Sequence, residues 1–455
     1  MYLRSTTAAA GLLAFVGFAE STVVHTQSGA FEGGKCSSTD VNYYFSIPYA
    51  EPPVGELRFA PPKPYHRNSS YHVVTNATTP APSCIQFSEA FGELGTSSED
   101  CLFLNVWVPA SAAPHSKLPV KAWLYGGSNE GGGVSDPTYD GCFSALDSVV
   151  VSINYRLGPL GFLALEDLGL TGNYGLMDQL LGLHWVQENI AKFGGDPEKV
   201  LLFGQSAGAA DAFAIATLPE SPRLIRAAAL ESGAGRDLAT IADAKVWYSE
   251  FLSAMNCSTP DLSCLRAASP RTLQIAASAM KAPAVVAVNS ALANNGSTVA
   301  AMATIVTEVS YECPAYRALR RAEANGVPVW TYRFAHQPTC AWYFGIEQTW
   351  LPALGATHTS EIPFVFNFTS GMPPPSGNCT FTAAEQALSH TMSRAWTDMA
   401  AFGRPAEQSV WPSWTSVDSK GVVFEDAMNA AVVDYTSCSF WDDVNEELNE
   451  YWRTR

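Results

Sequence analysis

The chain has 455 residues, 47% of them hydrophobic and 15% charged, so it can bury a large core in one domain or in two closely packed ones. Its formal net charge of −17 repels phosphate backbones and anionic lipid surfaces, so we expect no nucleic-acid partner. Beyond the N-terminal residues, no segment offers the roughly 18 consecutive apolar residues that span a bilayer, so no stable membrane anchor is expected.

The first residues predict a secretory signal peptide. Arg4 precedes an apolar stretch from Ala8 to Phe18, and the small residues Gly17 and Ala19 stand three and one positions before a cleavage point at Glu20. We therefore expect residues 1–19 to be removed on export. A helical chain terminus is the alternative interpretation.

Cysteines and glycosylation sequons favour the same compartment. The chain has ten cysteines, a number typical of oxidising surroundings. Six Asn-x-Ser/Thr sequons start at Asn68, Asn76, Asn256, Asn295, Asn367 and Asn378. These features predict a secreted, extracellular, disulfide-bonded glycoprotein. No repeat and no long polar linker interrupts the chain, so residues 20–455 are expected to form one domain.

The order of apolar segments predicts an α/β fold. The first third carries short strand-like runs and Pro-rich turns, which suit an antiparallel sheet edge and surface loops. After it, strand-like runs at Val120–Tyr125 and Ser148–Asn154 alternate with helical patterns such as Leu176–Phe193. This alternation favours a mostly parallel sheet covered by helices.

A Gly-x-Ser-x-Gly motif follows the next apolar run. Val200–Phe203 predicts a strand, the motif occupies Gly204–Gly208, and Ala209–Ala216 predicts a helix. A tight turn between strand and helix would present Ser206 as a nucleophile, and the glycines avoid collisions that side chains would cause there. An ordinary Gly/Ser turn is the alternative.

Five blocks of sequence are specific in composition and in order. They are Ile47–Pro62, Ser98–Pro109, Asn154–Leu163, Gly172–Gly208 and Thr357–Pro363. Together they resemble the type-B carboxylesterase/lipase family, the cholinesterase-like branch of the α/β-hydrolases. Within that family they are similar to secreted fungal carboxylesterases. The resemblance implies an α/β-hydrolase fold, a serine esterase activity on small-molecule carboxylic esters, and no need for a metal or an organic cofactor.

The resemblance also implies roles for individual residues. Ser206 would form the acyl-enzyme, and His358 would be the base that takes its proton. The backbone N–H groups of Gly127, Ser128 and Ala207 would form the oxyanion hole, where each lost donor costs on the order of a hundredfold in rate. The family often has a glycine where Ser128 stands, but a backbone donor tolerates a side chain if the turn is preserved.

Three disulfides and one ion pair are implied in the same way. The resemblance pairs Cys84 with Cys101, Cys257 with Cys264, and Cys313 with Cys438. Among the cysteines that remain, Cys36 with Cys142 and Cys340 with Cys379 is one assignment, and spacing alone leaves others open. The resemblance further implies a structural ion pair between Glu99 and Arg156.

The acid of the catalytic triad is not visible in the sequence. The family places a Glu before a small residue in a strand-end turn between the serine and the histidine. Members are generally longer than this chain, and the shortfall falls at about residues 265–312. There Pro283–Val288 could be a strand, but Asn294–Gly296 follows it instead of an acidic turn. Glu308 is a weak substitute and Glu231 a weaker one.

Substrate and alternative functions follow from these residues. Gln205 stands beside the nucleophile, where choline esterases have a glutamate, and Phe91 stands near their choline-binding tryptophan. Both changes weaken attraction for a quaternary ammonium, so an uncharged carboxylic ester is the expected substrate. Because the acid is missing, a catalytically impaired or silent binding or adhesion protein on the same fold is the second hypothesis. A gene model that lacks a segment is the third.

Overall fold

The computed structural model describes residues 23–66, 73–88, 95–236, 240–257, 261–278, 298–343, 346–370 and 379–453. Several predictions from the sequence lie outside these residues, namely the signal peptide at 1–19, Pro283–Val288, Asn294–Gly296, Phe91 and the sequons at Asn68, Asn295 and Asn378. The boundary of a single domain at 20–455 stays a prediction. Within the described residues, no helix combines the length and hydropathy that crossing a membrane requires.

The strands of the described chain are at most 11 residues long, the length of Gly195–Gln205. In chain order they are β1 (Val23–Thr26), β2 (Gly29–Glu32), β3 (Gly34–Lys35), β4 (Val41–Pro48), β5 (Val74–Asn76), β6 (Ser83–Cys84), β7 (Ser97–Ser98), β8 (Phe103–Pro109), β9 (Leu118–Leu124), β10 (Val149–Ile153), β11 (Ala164–Leu165), β12 (Leu170–Thr171), β13 (Gly195–Gln205), β14 (Ala227–Glu231), β15 (Tyr332–Phe334), β16 (Lys420–Phe424) and β17 (Met428–Val432).

A seven-stranded sheet forms the centre, with strand order β14-β13-β9-β10-β8-β4-β3. Strands β14, β13, β9 and β10 are parallel to one another, whereas β8, β4 and β3 make the antiparallel edge that the N-terminal third predicts. The predicted α/β architecture is thus confirmed. In such sheets, functional groups collect beyond the carboxyl ends of the parallel strands.

Helices cover the sheet and close the C-terminal part. They are α1 (Gly158–Phe162), α2 (Tyr174–Asn189), α3 (Ala207–Ala216), α4 (Ile241–Met255), α5 (Leu262–Ala267), α6 (Pro270–Ser278), α7 (Thr298–Thr307), α8 (Cys313–Ala324), α9 (Leu351–Leu354), α10 (Ile362–Val365), α11 (Ala383–Phe402) and α12 (Cys438–Arg453). A π-helical turn at Glu308–Glu312 joins α7 to α8. Helices α3 and α11 pack on β9 and β13, and α2 packs on β13.

An aromatic cluster attaches the segment after α10 to the sheet. Trp123 on β9 is fully buried, and its ring centroid lies 4.8 Å from that of Phe203 and 5.1 Å from that of Phe366. Truncation of a core tryptophan typically costs about 3–5 kcal/mol of unfolding free energy. Because α10 follows His358 closely in sequence, this cluster also fixes the histidine segment against the sheet.

All ten cysteines are paired. The structure contains the three bonds implied by the resemblance, Cys84–Cys101, Cys257–Cys264 and Cys313–Cys438. It also contains the assignment left open above, Cys36–Cys142 and Cys340–Cys379. The five disulfides fit an extracellular protein.

The predicted Glu99–Arg156 ion pair is wrong. Arg58 takes Glu99 as its partner. Arg156 instead pairs with Asp178 on α2, with 2.7 Å between Nη2 and Oδ1, and its backbone N–H donates to the same carboxylate at 3.0 Å. Both side chains are buried. The acid that pairs with Arg156 therefore comes from α2, and the sequence resemblance did not identify it.

The sequon at Asn367 does not meet solvent in this fold. Asn367 is buried, and its Nδ2 donates to the backbone oxygen of Phe143 at 3.1 Å. By contrast, Asn76 and Asn256 are exposed. In the folded chain, Asn76 and Asn256 are therefore accessible to a modifying enzyme, whereas Asn367 is not.

Candidate active site

The nucleophile elbow stands between a strand and a helix. Strand β13 ends at Gln205 and α3 begins at Ala207, so Ser206 occupies the turn alone. Its φ of 56° and ψ of −121° are strained values for a residue with a side chain, as the elbow geometry requires. Its N–H donates to the backbone oxygen of Glu231 at 2.8 Å, which fixes the turn to the end of β14.

Glycines around the elbow permit its close packing. A Cβ on Gly204 would lie 2.6 Å from the backbone of Gly208, and a Cβ on Gly208 would lie 2.1 Å from the backbone oxygen of Leu124. A Cβ on Gly233 would lie 2.3 Å from the backbone oxygen of Ser206. Side chains at these positions would push the serine away from β9 and β14, so the motif glycines are explained by sterics.

The predicted oxyanion loop follows β9 directly. Gly127, Ser128 and Asn129 have φ values of 118°, 57° and 58°, so the turn keeps a left-handed backbone with a serine at the second position. Throughout the described ranges, no acceptor receives a hydrogen bond from the N–H groups of Gly127, Ser128 or Ala207. These three donors remain available to a ligand oxygen.

Hydrogen bonds hold this loop against the elbow helix. Asn129 Nδ2 donates to Asp211 Oδ1 on α3 at 3.1 Å, and Gln179 Nε2 donates to the other carboxylate oxygen at 2.6 Å. The Tyr155 hydroxyl donates to the backbone oxygen of Tyr125 at 2.6 Å. Burial raises the pKa of Asp211 to about 6, while these two amide donors act in the opposite direction. These hydrogen bonds therefore fix the donor loop to the helix.

His358 lies next to the elbow, between α9 and α10. The side-chain nitrogen of Gln205 is 3.3 Å from its Nδ1 and 3.2 Å from its Nε2, and the Tyr311 ring packs on the imidazole with 4.9 Å between centroids. Among the described residues, no hydrogen bond joins Ser206 Oγ to His358. Catalytic hydrogen bonds are often long in free enzymes and tighten when substrate binds. The structure thus brings His358 into contact with Gln205, the residue that precedes Ser206.

Two effects make His358 a weak base. Loss of hydration around the ring, and then the nearby positive charge of Arg236, together lower the pKa of His358 from 6.5 to about 4. The residue keeps an exposed side towards solvent. At neutral pH the imidazole is therefore uncharged and ready to accept a proton, but no carboxylate among the described residues hydrogen-bonds to it.

A pair of buried carboxyl groups lies behind Gln205. Glu231, fully buried, accepts a hydrogen bond from Trp396 Nε1 at 2.9 Å through one oxygen, while its second oxygen and Oε1 of Glu361 have no hydrogen-bond partner. Burial, and then the negative charge of Glu361, raise the pKa of Glu231 well above its ordinary range. Burial raises the pKa of Glu361 to about 7, partly offset by a hydrogen bond from Gln205. At neutral pH the pair therefore holds at least one proton.

The acid candidates from the sequence do not contact His358. Oε2 of Glu308 accepts a hydrogen bond from Trp441 Nε1 at 2.5 Å, in the cluster around α12. Glu231 bonds to Trp396. Across the part of the chain that the structure describes, no carboxylate accepts a hydrogen bond from either nitrogen of His358. In the same residues, no group of three or more His, Cys, Asp or Glu side chains is arranged to hold a metal ion.

Sequence reasoning missed three neighbours of the histidine. Glu361 falls inside the Thr357–Pro363 block, so its position was visible, but its pairing with Glu231 depends on the tertiary fold. Tyr311 and Arg236 carried no recognisable signal, because a single tyrosine or arginine on a helix or loop is usually a surface residue.

Comparisons with known proteins agree on one family. The sequence model described as the carboxylesterase family matches residues 20–293 and 285–441. Para-nitrobenzyl esterase of Bacillus subtilis is 30% identical over 471 residues, which cover 86% of this chain and 92% of the relative. Acetylcholinesterase 4 of Caenorhabditis briggsae is 38% identical over 274 residues, which cover 56% of this chain and only 44% of the relative.

Solved structures give the same picture. A carboxylesterase of Geobacillus stearothermophilus superposes with a TM-score of 0.78 at 28% identity, covering 92% of this chain and 99% of that one. The chain spans less than half the length of several relatives that it matches, including a fumonisin B1 esterase of Sphingopyxis macrogoltabida, of which 42% is covered at 44% identity.

Proposed function

This chain belongs to the carboxylesterase family and has its α/β-hydrolase fold, and from that premise we propose that it hydrolyses small carboxylic esters through an acyl-enzyme on Ser206. The observation that carries the proposal is the strained elbow of Ser206. Three N–H donors with no acceptor among the described residues lie beside it, and the preceding residue, Gln205, contacts His358. This combination matches what acyl transfer requires.

The reaction proceeds in two displacements. Ser206 Oγ attacks the ester carbonyl while His358 takes the hydroxyl proton, and the N–H groups of Gly127, Ser128 and Ala207 bind the oxyanion. The C–O bond to the alcohol then breaks, and the imidazolium returns the proton to the leaving alcohol. Water attacks the acyl-enzyme by the same route, so a carboxylic acid leaves and the serine is restored. The mechanism uses no metal and no organic cofactor.

The lack of a carboxylate partner for His358 among the described residues limits the expected rate. In serine proteases, neutralising the triad acid lowers turnover by roughly ten-thousandfold while geometry stays intact. The described neighbours of His358 offer the amide of Gln205 and the ring of Tyr311 in place of a carboxylate. We therefore propose an esterase of reduced turnover. A catalytically silent binding or adhesion protein is the second candidate, favoured by this one observation.

Location and partners are part of the proposal. The five disulfides and the apolar N-terminal stretch support a secreted protein, and the exposed Asn76 and Asn256 support its glycosylation. The partner is then a small ester substrate that meets the enzyme outside the cell.

An esterase assay tests the proposal. Hydrolysis of 4-nitrophenyl butyrate is compared for the wild-type chain, Ser206→Ala and His358→Ala. We expect a fall of at least a hundredfold in kcat for both variants, because removal of a positioned base alone costs about a hundredfold or more. Equal and slow release by the wild type and by Ser206→Ala would favour the silent binding protein instead.

A further inference from the structure

Arg236 lies one aromatic ring away from the catalytic histidine. It stands in the loop that leaves β14, the same loop in which Gly233 packs on the backbone of Ser206. Its guanidinium carbon lies 5.8 Å from the ring centroid of Tyr311. The same ring packs on His358, with 4.9 Å between the two ring centroids. The side chain is exposed to solvent, so a ligand in the site can reach it.

Arg236 differs from six other arginines of the described chain in the charge it faces. In the described part of the chain, several arginines have a carboxylate within 4 Å, namely Arg58, Arg156, Arg266, Arg317, Arg394 and Arg404. Arg236 has none among the described residues, and its guanidinium lies over the ring of Tyr311. In a chain with a net charge of −17, an arginine beside the site without a carboxylate partner is a distinctive positive feature.

We propose that Arg236 binds a free carboxylate of the substrate, so that the preferred esters are monoesters of dicarboxylic acids. This inference rests on the proposed function of Ser206 and adds the substrate class. It also departs from the uncharged ester that the sequence predicts, since that expectation came from Gln205 and Phe91 and took no account of Arg236.

The chemistry of the guanidinium supports this assignment. Its planar set of donors matches a carboxylate in a two-point hydrogen bond, and its weak hydration lowers the cost of binding an anion. Tyr311 contacts both the guanidinium and the His358 ring, so a carboxylate bound by Arg236 would stand one ring away from the reacting ester. An arginine held by an aromatic ring also loses less side-chain freedom on binding.

Binding to the Ser206→Ala chain tests the proposal without relying on turnover. Ligand-observed NMR titrations give Kd for monomethyl succinate, glutarate and adipate, each beside the neutral methyl ester of equal acyl length. We expect at least one monoester to bind about 3- to 10-fold tighter than its neutral counterpart, the range for a charge-assisted contact open to solvent. Adding Arg236→Gln should abolish the preference, and Arg236→Lys should restore part of it.

Arg320 supplies a matched control. Its guanidinium carbon also lies 5.8 Å from a tyrosine ring, that of Tyr316, so Arg320→Gln removes the same kind of stacking on α8 and should leave the preference unchanged. Equal Kd values within every pair, no detectable binding of any monoester, or a preference that survives Arg236→Gln would overturn the proposal. Hydrolysis of 4-nitrophenyl butyrate by the wild type tests the proposed function separately, so the two can fail independently.

Discussion

The pH dependence of ester hydrolysis should show an unusually acidic lower limb. His358 must be neutral to accept the proton of Ser206, so activity falls as the pH drops through the pKa of His358, which lies at about 4. With that pKa, about 97% of the histidine is neutral at about pH 5.5, compared with about 9% for an ordinary pKa of 6.5, so the wild type should keep nearly all of its plateau kcat/KM there, whereas an enzyme with an ordinary histidine would keep about a tenth of its own.

The charged and titratable neighbours of His358 determine how far the limb moves. Arg236 is the positive neighbour and lowers the pKa, and Tyr311 is neutral in this range. Glu361, which contacts Gln205, has a pKa of about 7 and is protonated on the acid limb, so it adds no compensating charge there. The Arg236→Gln variant should therefore shift the limb to higher pH, by less than burial contributes, whereas Arg320→Gln should not shift it.

The assay is a profile of kcat/KM for 4-nitrophenyl butyrate between about pH 4 and 8, read at a wavelength where nitrophenol absorbs equally in both protonation states. A wild-type midpoint between about pH 6 and 7 would refute the reasoning, because it would mean that His358 has an ordinary environment. An unchanged midpoint in Arg236→Gln would refute the role of its charge.

Three further substitutions test the packing and charge of the fold. Gly208→Ala places a Cβ 2.1 Å from the backbone oxygen of Leu124, so urea unfolding should show a loss of about 1–3 kcal/mol, and kcat should fall as the elbow moves. As the pH rises from about 4.5 to 7, the free energy of unfolding should fall less in Glu361→Gln than in the wild type. The reason is that folded wild-type Glu361 keeps a proton in this range that the unfolded chain releases. An equal slope in both chains would contradict this. Asp178→Asn leaves Arg156 buried beside a neutral amide and should cost about 3–5 kcal/mol, whereas the control Glu56→Gln, at an exposed pair, should cost less than about 1 kcal/mol; similar losses would count against the burial argument.

Short-range sequence patterns predicted the elbow well. Gly204 and Gly208 flank Ser206 because no side chain fits at these positions. This steric requirement falls within five consecutive residues, so the sequence alone shows it. The parallel strands β9, β10 and β13 were visible for a similar reason, since strands buried on both faces are continuous apolar runs. The three disulfides implied by the family resemblance are also confirmed.

Features that depend on the meeting of distant segments were not predictable. Arg156 pairs with Asp178 because α2 packs beside it, while Glu99 pairs with Arg58. The sequon at Asn367 is intact as a pattern, yet burial removes it from the surface. Tyr311 contacts His358 and Arg236 lies over the Tyr311 ring, each from a separate element, so neither had a signal in its own neighbourhood.

Covalent labelling of Ser206 tests the central claim most directly. The wild-type chain and His358→Ala are incubated with diisopropyl fluorophosphate, and the modified residue and its rate of formation are read by peptide mass spectrometry. An activated nucleophile predicts one adduct, on Ser206, that forms at least about a hundredfold faster in the wild type, because His358 takes the hydroxyl proton. Equal rates in the two chains, or an adduct on another residue, would contradict the account.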